Sequence, residues 1–349
     1  MDTPKVLIIR TSALGDVVHS LPVLTALRRG LPEAKIAWLV EDAYLPLLRH
    51  HPDLDVTIPV RLRAWRKRPL SPATWRELRD LMRRLDSFQP DVVLDLMGNH
   101  KAGLLGALTM SDRRIGLARE YRREPSSAIW ISESVAAEGP HSVDRMLSLL
   151  QALDLPRQPV DFGAAKLASA LDLPSRKSGD RLLISGPIVI HPGAGWENKR
   201  YPPDHWGRVA AILRDRARLE TRVISTPAEA DLARETVAAS SGAAQETSAP
   251  DLRTLATELR GASLVMAGDT GPVHLAHALG TAVLCLMGPT DPEKSGPYGK
   301  PEYALWHALP CSFCHRRYAK MQKCMLDLDP EMVADRALSI LESQRETPA

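Results

Sequence analysis

The sequence predicts an α/β protein made of two doubly wound domains, each built on a parallel sheet. Three observations carry the prediction. Short, wholly apolar runs such as Val6-Leu7-Ile8-Ile9 recur without polar alternation, as strands buried on both faces require. Amphipathic stretches of helical spacing separate these runs, and alternating strands and helices define the α/β class. The alternation weakens where Pro156, Pro159, Pro174, Gly179 and Pro187 punctuate the chain, and then it restarts. A chain of 349 residues has room for two such domains.

In order, residues 6–9 are the first strand, 10–16 the loop after it and 17–29 the first helix. That loop is not G-x-G-x-x-G, so a dinucleotide fingerprint is absent. Residues 36–40 and 56–60 follow as strands, joined by a short helix. Residues 75–85 read as a helix, 92–96 as a strand, 103–110 as a helix and 114–117 as the last parallel strand of this half. Residues 141–153 read as a helix with Val143, Met146, Leu147 and Leu150 on its apolar side. In the second half the strands are 188–190, 222–225, 263–267 and 282–287. The helices are 203–214, 228–239, 251–259 and 273–279, with a closing helix at 330–343. The expected domains are 1–160 and 188–328, with an interdomain region at 161–187 and a closing helix and tail at 329–349. No residue-level repeat relates the two halves.

Bulk properties bound the function. The formal net charge is +3 and the pI about 8.7, too mild a bias to indicate a nucleic-acid binder. No run of about 18 apolar residues, the length that spans a bilayer, is present. The start, Met1-Asp2-Thr3-Pro4-Lys5, enters a strand without a signal-peptide pattern, so a cytoplasmic protein is expected. Four cysteines in so long a chain do not suggest a disulfide framework. Cys285 falls in a strand and reads as core. Cys311-x-x-Cys314 with His315 and Cys324 resembles part of a zinc site, but a second C-x-x-C is missing and no metal is expected.

Parallel sheets carry ligand-binding loops beyond the carboxyl ends of their strands. Four loops rich in glycine and reactive groups fall there, at 12–16, 191–199, 269–271 and 288–292. If the domains face each other, these loops line one cleft. Gly268-Asp269-Thr270-Gly271-Pro272 empties a buried strand into a helix start. Free N–H groups and the helix dipole there favour an anion, typically a phosphate, and Asp269 suits sugar hydroxyls. The plainer reading is an ordinary turn with a solvated Asp269. Asp16 either caps a helix or serves as a general base, with His19 three residues on. Lys199 either neutralises a phosphate or is solvated. Glu229 either holds a ribose diol or complements a helix dipole. Arg61, Arg63, Arg66, Lys67 and Arg68, with Trp65 among them, form either a solvated loop or a surface for an anionic substrate, a membrane or a nucleic acid. Lys101, Arg119 and Arg145 lie near strand ends of the same domain and add positive charge suited to an acceptor bearing carboxylates or phosphates.

Four blocks, in the same order along the chain, resemble glycosyltransferase family 9, the ADP-heptose:lipopolysaccharide heptosyltransferases. They are the opening Val6-Leu7-Ile8-Ile9-Arg10-Thr11-Ser12-Ala13-Leu14-Gly15-Asp16; His191-Pro192-Gly193-Ala194-Gly195 with Lys199-Arg200-Tyr201-Pro202; Gly268-Asp269-Thr270-Gly271-Pro272-Val273-His274; and Gly288-Pro289-Thr290-Asp291-Pro292. The resemblance implies a GT-B architecture, two Rossmann-like domains facing across a cleft, with the closing helix packed back toward the first domain. It implies inverting transfer of heptose from ADP-heptose, with neither cofactor nor metal. The expected protein is a cytoplasmic monomer with peripheral contact to the inner membrane and no nucleic-acid partner. Asp16 matches the family's general base and Lys199 its donor-phosphate lysine. Asp269 matches the acid that holds heptose hydroxyls, Thr270, Gly271 and Pro272 the amide cradle, and Glu229 the ribose contact. His274 falls among the donor-binding residues. Arg63-Ala64-Trp65-Arg66-Lys67 resembles the acceptor-binding stretch of members that act on Kdo, and Lys101, Arg119 and Arg145 match further basic acceptor positions. The implied acceptor is the anionic glycolipid Kdo-lipid A. The alternatives are a relative with another acceptor or nucleotide sugar, and a non-catalytic binder of nucleotide sugars or anionic glycans.

Overall fold

The computed structural model describes residues 3–174 and 186–346; the expected break at Gly179 lies outside the described residues. The chain divides into two units, Met1–Leu171 and Asp172–Ala349. The first carries strands β1 (Lys5–Ile9), β2 (Lys35–Glu41), β3 (Val56–Val60), β4 (Val92–Asp95), β5 (Arg113–Leu117) and β6 (Glu133–Val135). The second carries β7 (Ile188–His191), β8 (Thr221–Ser225), β9 (Ala244–Ser248), β10 (Leu264–Gly268), β11 (Val283–Met287) and β12 (Ala304–Trp306). Every described strand pair is parallel.

The sheet orders are β3-β2-β1-β4-β5-β6 and β12-β11-β10-β7-β8-β9. Counted from its own first strand, each unit has the order 3-2-1-4-5-6, the doubly wound Rossmann arrangement. The repeat that the residues conceal is therefore topological. In this order the connections leave the first strand in opposite directions, and a crevice opens at the carboxyl ends of the first and fourth strands. In these units those pairs are β1 with β4 and β7 with β10.

The strands legible in the sequence are the central ones and one edge strand, β3. β1, β7, β10 and β11 are apolar and buried nearly throughout. The strands that escape notice lie at edges. The run at 114–117 is not the last strand of its half, because Glu133–Val135 pairs beside it. β9 reads Ala-Gln-Glu-Thr-Ser and is largely exposed, and β12 has three residues. Short, polar edges discourage pairing with other chains, but they leave no apolar signal.

Helices depart from expectation in several places, and three matter to the layout. The first breaks into Leu14–His19 and Leu21–Gly30 at Ser20, just before Pro22, which has no N–H to continue a ladder. The basic run is a helix, Leu62–Lys67, rather than a loop. The closing helix Pro330–Glu346 belongs to the second unit. Val333, Ala334, Ala337, Ile340 and Leu341 form one buried stripe in the core, with Trp206, Val209 and Leu213 of the helix Pro203–Ala217. Its apolar face is thus satisfied within its own unit. The buried Tyr201 hydroxyl ties down the approach by donating to the Leu328 carbonyl at 2.8 Å.

Candidate active site

In the second unit, two loops meet at the crevice because a glycine lets them. A Cβ on Gly268 would stand 2.2 Å from the Lys199 carbonyl oxygen, so only glycine lets the loop after β7 lie against the end of β10. Lys199 Nζ then reaches Asp269 Oδ2 at 2.6 Å and sits 4.7 Å above the Trp196 ring. Asp269 Oδ1 meets His274 Nε2 at 2.9 Å, and Thr290 donates to Oδ2 at 2.6 Å. His274 lies one turn into the helix Gly271–Ala278, and Thr290 follows β11. Burial alone raises the pKa of Asp269, but His274 and the Lys199 ammonium outweigh it and hold the carboxyl well below the usual range. Asp269 is therefore a fixed anion. With three of its roughly four acceptor sites occupied, it can take about one further hydroxyl.

Glu229 converges on the same loop. Its Oε2 accepts from the Thr226 hydroxyl at 2.8 Å and lies 3.5 Å from His191 Nε2. His191 Nδ1 meets the Gly193 carbonyl at 3.0 Å, which it can do only as a donor. A Cβ on Gly193 would come within 2.0 Å of Glu229 Oε1. Burial raises the pKa of Glu229, yet His191 and Thr226 together pull it down to about 2. Thr270 precedes the helix Gly271–Ala278 with extended backbone and makes no side-chain cap bond. Thr270 and Gly271 retain N–H groups at that helix start, and Pro272 has none.

In the first unit, Asp16 is both cap and ion-pair partner. Its Oδ2 accepts from the Ala13 N–H at 3.1 Å, and its Oδ1 lies 2.8 Å from Arg10 Nη2. Its side chain remains 43% exposed, enough for a second ligand to reach it. Arg10 also donates to the Leu96 carbonyl, so it bridges the ends of β1 and β4. His19 turns inward to Ser142 Oγ, 3.1 Å away, and packs edge-on to His141.

The basic candidates are spread along the chain but follow one sheet edge. Arg63, Arg66 and Lys67 follow β3, Lys101 follows β4, Arg119 follows β5 and Arg145 follows β6. Arg63 is fixed through its N–H to Glu41 and its guanidinium to Tyr44. Arg66, Lys67, Lys101 and Arg119 are exposed. Arg145 is half-buried, and its Nε has no hydrogen-bond partner among the described residues.

Three residues were not singled out by sequence reasoning. Arg10 and Thr290 stand inside quoted motifs at strand ends, which was their only signal. Asp95 forms a buried ion pair with Arg122 at 2.5 Å, and its other oxygen accepts from the Met97 and Gly98 N–H groups. Cys285 is buried in β11 as expected, and Cys311, Cys314 and Cys324 are free thiols. Among the described residues, no group of three or more His, Cys, Asp or Glu is placed to hold a metal ion. No described helix is long and apolar enough to cross a membrane.

Two doubly wound sheets of identical order, each with its polar side chains at the reversal of strand order, define the GT-B class of nucleotide-sugar enzymes. The profile of Glycosyltransferase family 9 (heptosyltransferase) matches residues 78–325. The chain belongs to that family and is a glycosyltransferase. It is 32% identical over 325 residues to lipopolysaccharide heptosyltransferase 1 of Pseudomonas aeruginosa, covering 91% of this chain and 88% of that one. It is 28% identical over 300 residues to lipopolysaccharide heptosyltransferase 1 of Escherichia coli K12, covering 85% and 91%. The E. coli heptosyltransferase WaaC solved with ADP-2-deoxy-2-fluoro heptose superposes with a TM-score of 0.76 at 25% identity, covering 97% of this chain and 99% of that chain.

Proposed function

We propose that the protein transfers heptose, with inversion, from ADP-heptose to the Kdo of Kdo-lipid A, working at the cytoplasmic face of the inner membrane. The relatives named heptosyltransferase 1 and the solved relative carrying a fluorinated ADP-heptose support the donor and the reaction. One observation carries the acceptor assignment. Every basic candidate in the first unit follows the carboxyl end of a strand in one all-parallel sheet, the edge that also carries Asp16. A carboxylate-bearing sugar meets complementary charge there.

In this reading the acceptor hydroxyl attacks the anomeric carbon while ADP departs from the opposite face. Asp16 takes the hydroxyl proton late, as the attacking oxygen becomes acidic. Arg10 fixes the carboxylate so that its exposed side faces the acceptor. Lys199 and the helix-start N–H groups of Thr270 and Gly271 stabilise the charge growing on the diphosphate, the larger electrostatic task. Asp269 accepts a heptose hydroxyl and Glu229 the ribose diol. No cofactor is assigned.

The test is ADP release from ADP-heptose with and without Kdo-lipid A. Release that depends on the acceptor is expected. Asp16→Asn should bind ADP-heptose normally and lose at least about a hundredfold in turnover, the usual share of a general base. Normal turnover in that variant removes Asp16 from the base role, and release with a different acceptor only would overturn the Kdo assignment.

A further inference from the structure

The stretch from Arg61 to Arg84 holds nine basic residues and two acidic ones, a net +7 in a chain whose total is +3. The rest of the protein is therefore net acidic, and the positive charge is concentrated in one hairpin of helices, Leu62–Lys67 and Pro72–Phe88. Both acids are spent inside it. Glu77 takes Arg61 and the Trp65 indole N–H, and Asp80 takes Arg83. Among the described residues, Arg66, Lys67, Arg68 and Arg79 form no ion pair.

The tip of this hairpin is apolar and stands in water. Leu70 is 84% exposed and Trp75 57%. Neither is there because the turn is loose. The Arg68 carbonyl accepts from the Ser71 N–H at 3.1 Å and from the Thr74 hydroxyl at 2.7 Å, and Ser71 Oγ caps the second helix through the Ala73 N–H. Trp75, Arg79 and the exposed Met82 are spaced i, i+4, i+7, so they share one outward row of that helix. A rigid tip thus presents an aliphatic side chain and an indole, with guanidinium and ammonium groups on both flanks.

We propose that this hairpin tip docks the protein on an anionic lipid bilayer. Leu70 and Trp75 enter the headgroup region while the flanking cations meet the negative surface potential. The charge is complementary, and an indole beside basic residues suits the membrane interface. A nucleic acid would use the cations but has no use for an aliphatic tip. The inference extends the proposed reading, since a lipid-borne acceptor would then be met on the surface that holds it.

The test is vesicle sedimentation without donor or acceptor. The vesicles are phosphatidylcholine alone, or phosphatidylcholine mixed with phosphatidylglycerol. Wild type should sediment with the mixed vesicles, should stay free of the neutral ones, and should be released by salt. The double substitution Arg76→Gln, Arg79→Gln should lower the partition coefficient about thirtyfold, from roughly 1 kcal/mol per cation at an anionic surface. Leu70→Ser should lower it about tenfold through lost apolar burial. All three side chains are exposed, and unchanged circular dichroism and melting will verify folding. Equal binding to neutral vesicles, or variants that bind like wild type, overturns the proposal, as does binding of a DNA duplex in place of vesicles. ADP release with detergent-dispersed acceptor separates the two ideas. Release without vesicle binding leaves the transferase and removes the docking surface; vesicle binding without release does the reverse.

Discussion

Lys199→Met is the sharpest probe of the second unit. Lys199 Nζ and Asp269 Oδ2 are 2.6 Å apart, and the two side chains are only 15% and 8% exposed. Removing the lysine strands a desolvated carboxylate, and loss of one partner from such a pair costs about 3–5 kcal/mol. His274 and Thr290 still hold Asp269, which places the expected cost near the lower end, about 3 kcal/mol. In a unit of this size that corresponds to a fall of roughly 6–12 °C in melting temperature. Adding Asp269→Asn removes the stranded charge, so the double variant should regain most of the loss, because deleting both partners leaves nothing buried and unpaired. Donor turnover should stay low in both. Calorimetry on wild type, each single variant and the double variant measures the cycle. A single variant that loses less than about 1 kcal/mol, or a double variant as unstable as Lys199→Met, refutes the reasoning.

Further outcomes follow from the same geometry. Glu229 sits at about 2 in the folded state against an ordinary 4.5. Its contribution is therefore present above pH 4.5 and lost as pH falls from there toward about 2, on the order of 3 kcal/mol in all. Glu229→Gln should flatten this acid-side slope of unfolding free energy, and an unchanged slope contradicts the contacts to His191 and Thr226. Gly268→Ala should destabilise more than Gly193→Ala. The first puts Cβ against backbone of Lys199, whereas the second can be relieved by moving the Glu229 carboxylate, at the cost of donor affinity. Urea unfolding and ADP titration of the two variants give the ranking. Arg122→Met should cost the first unit about 3–5 kcal/mol by leaving Asp95 buried without its cation; a cost within experimental error means that the pair is not buried as described.

Much of the fold was legible because its central strands are buried on both faces. Leu7 pairs with Ala37 on one side and Val93 on the other, and such positions admit only apolar side chains. The glycine-bearing loops were legible for a related reason: a chain that leaves a parallel strand and turns straight into a helix needs small residues and helix-start residues at the turn. The edge strands β6, β9 and β12 were not, since short or polar segments carry no period. The closing helix showed its apolar stripe in the sequence but not the partner that the stripe covers.

The sequence by itself therefore determined the α/β class, the central strands and which loops carry carboxylates, lysine and arginine. Only the tertiary structure decided that Arg10 holds the Asp16 carboxylate, that Thr290 turns to Asp269, and that Glu229 lies on Gly193. Apolar periodicity is written along the chain within a few residues. Lys199 and Asp269 are 70 positions apart. They meet because β7 pairs with β10, a choice of backbone partners that is not encoded in either residue's neighbourhood.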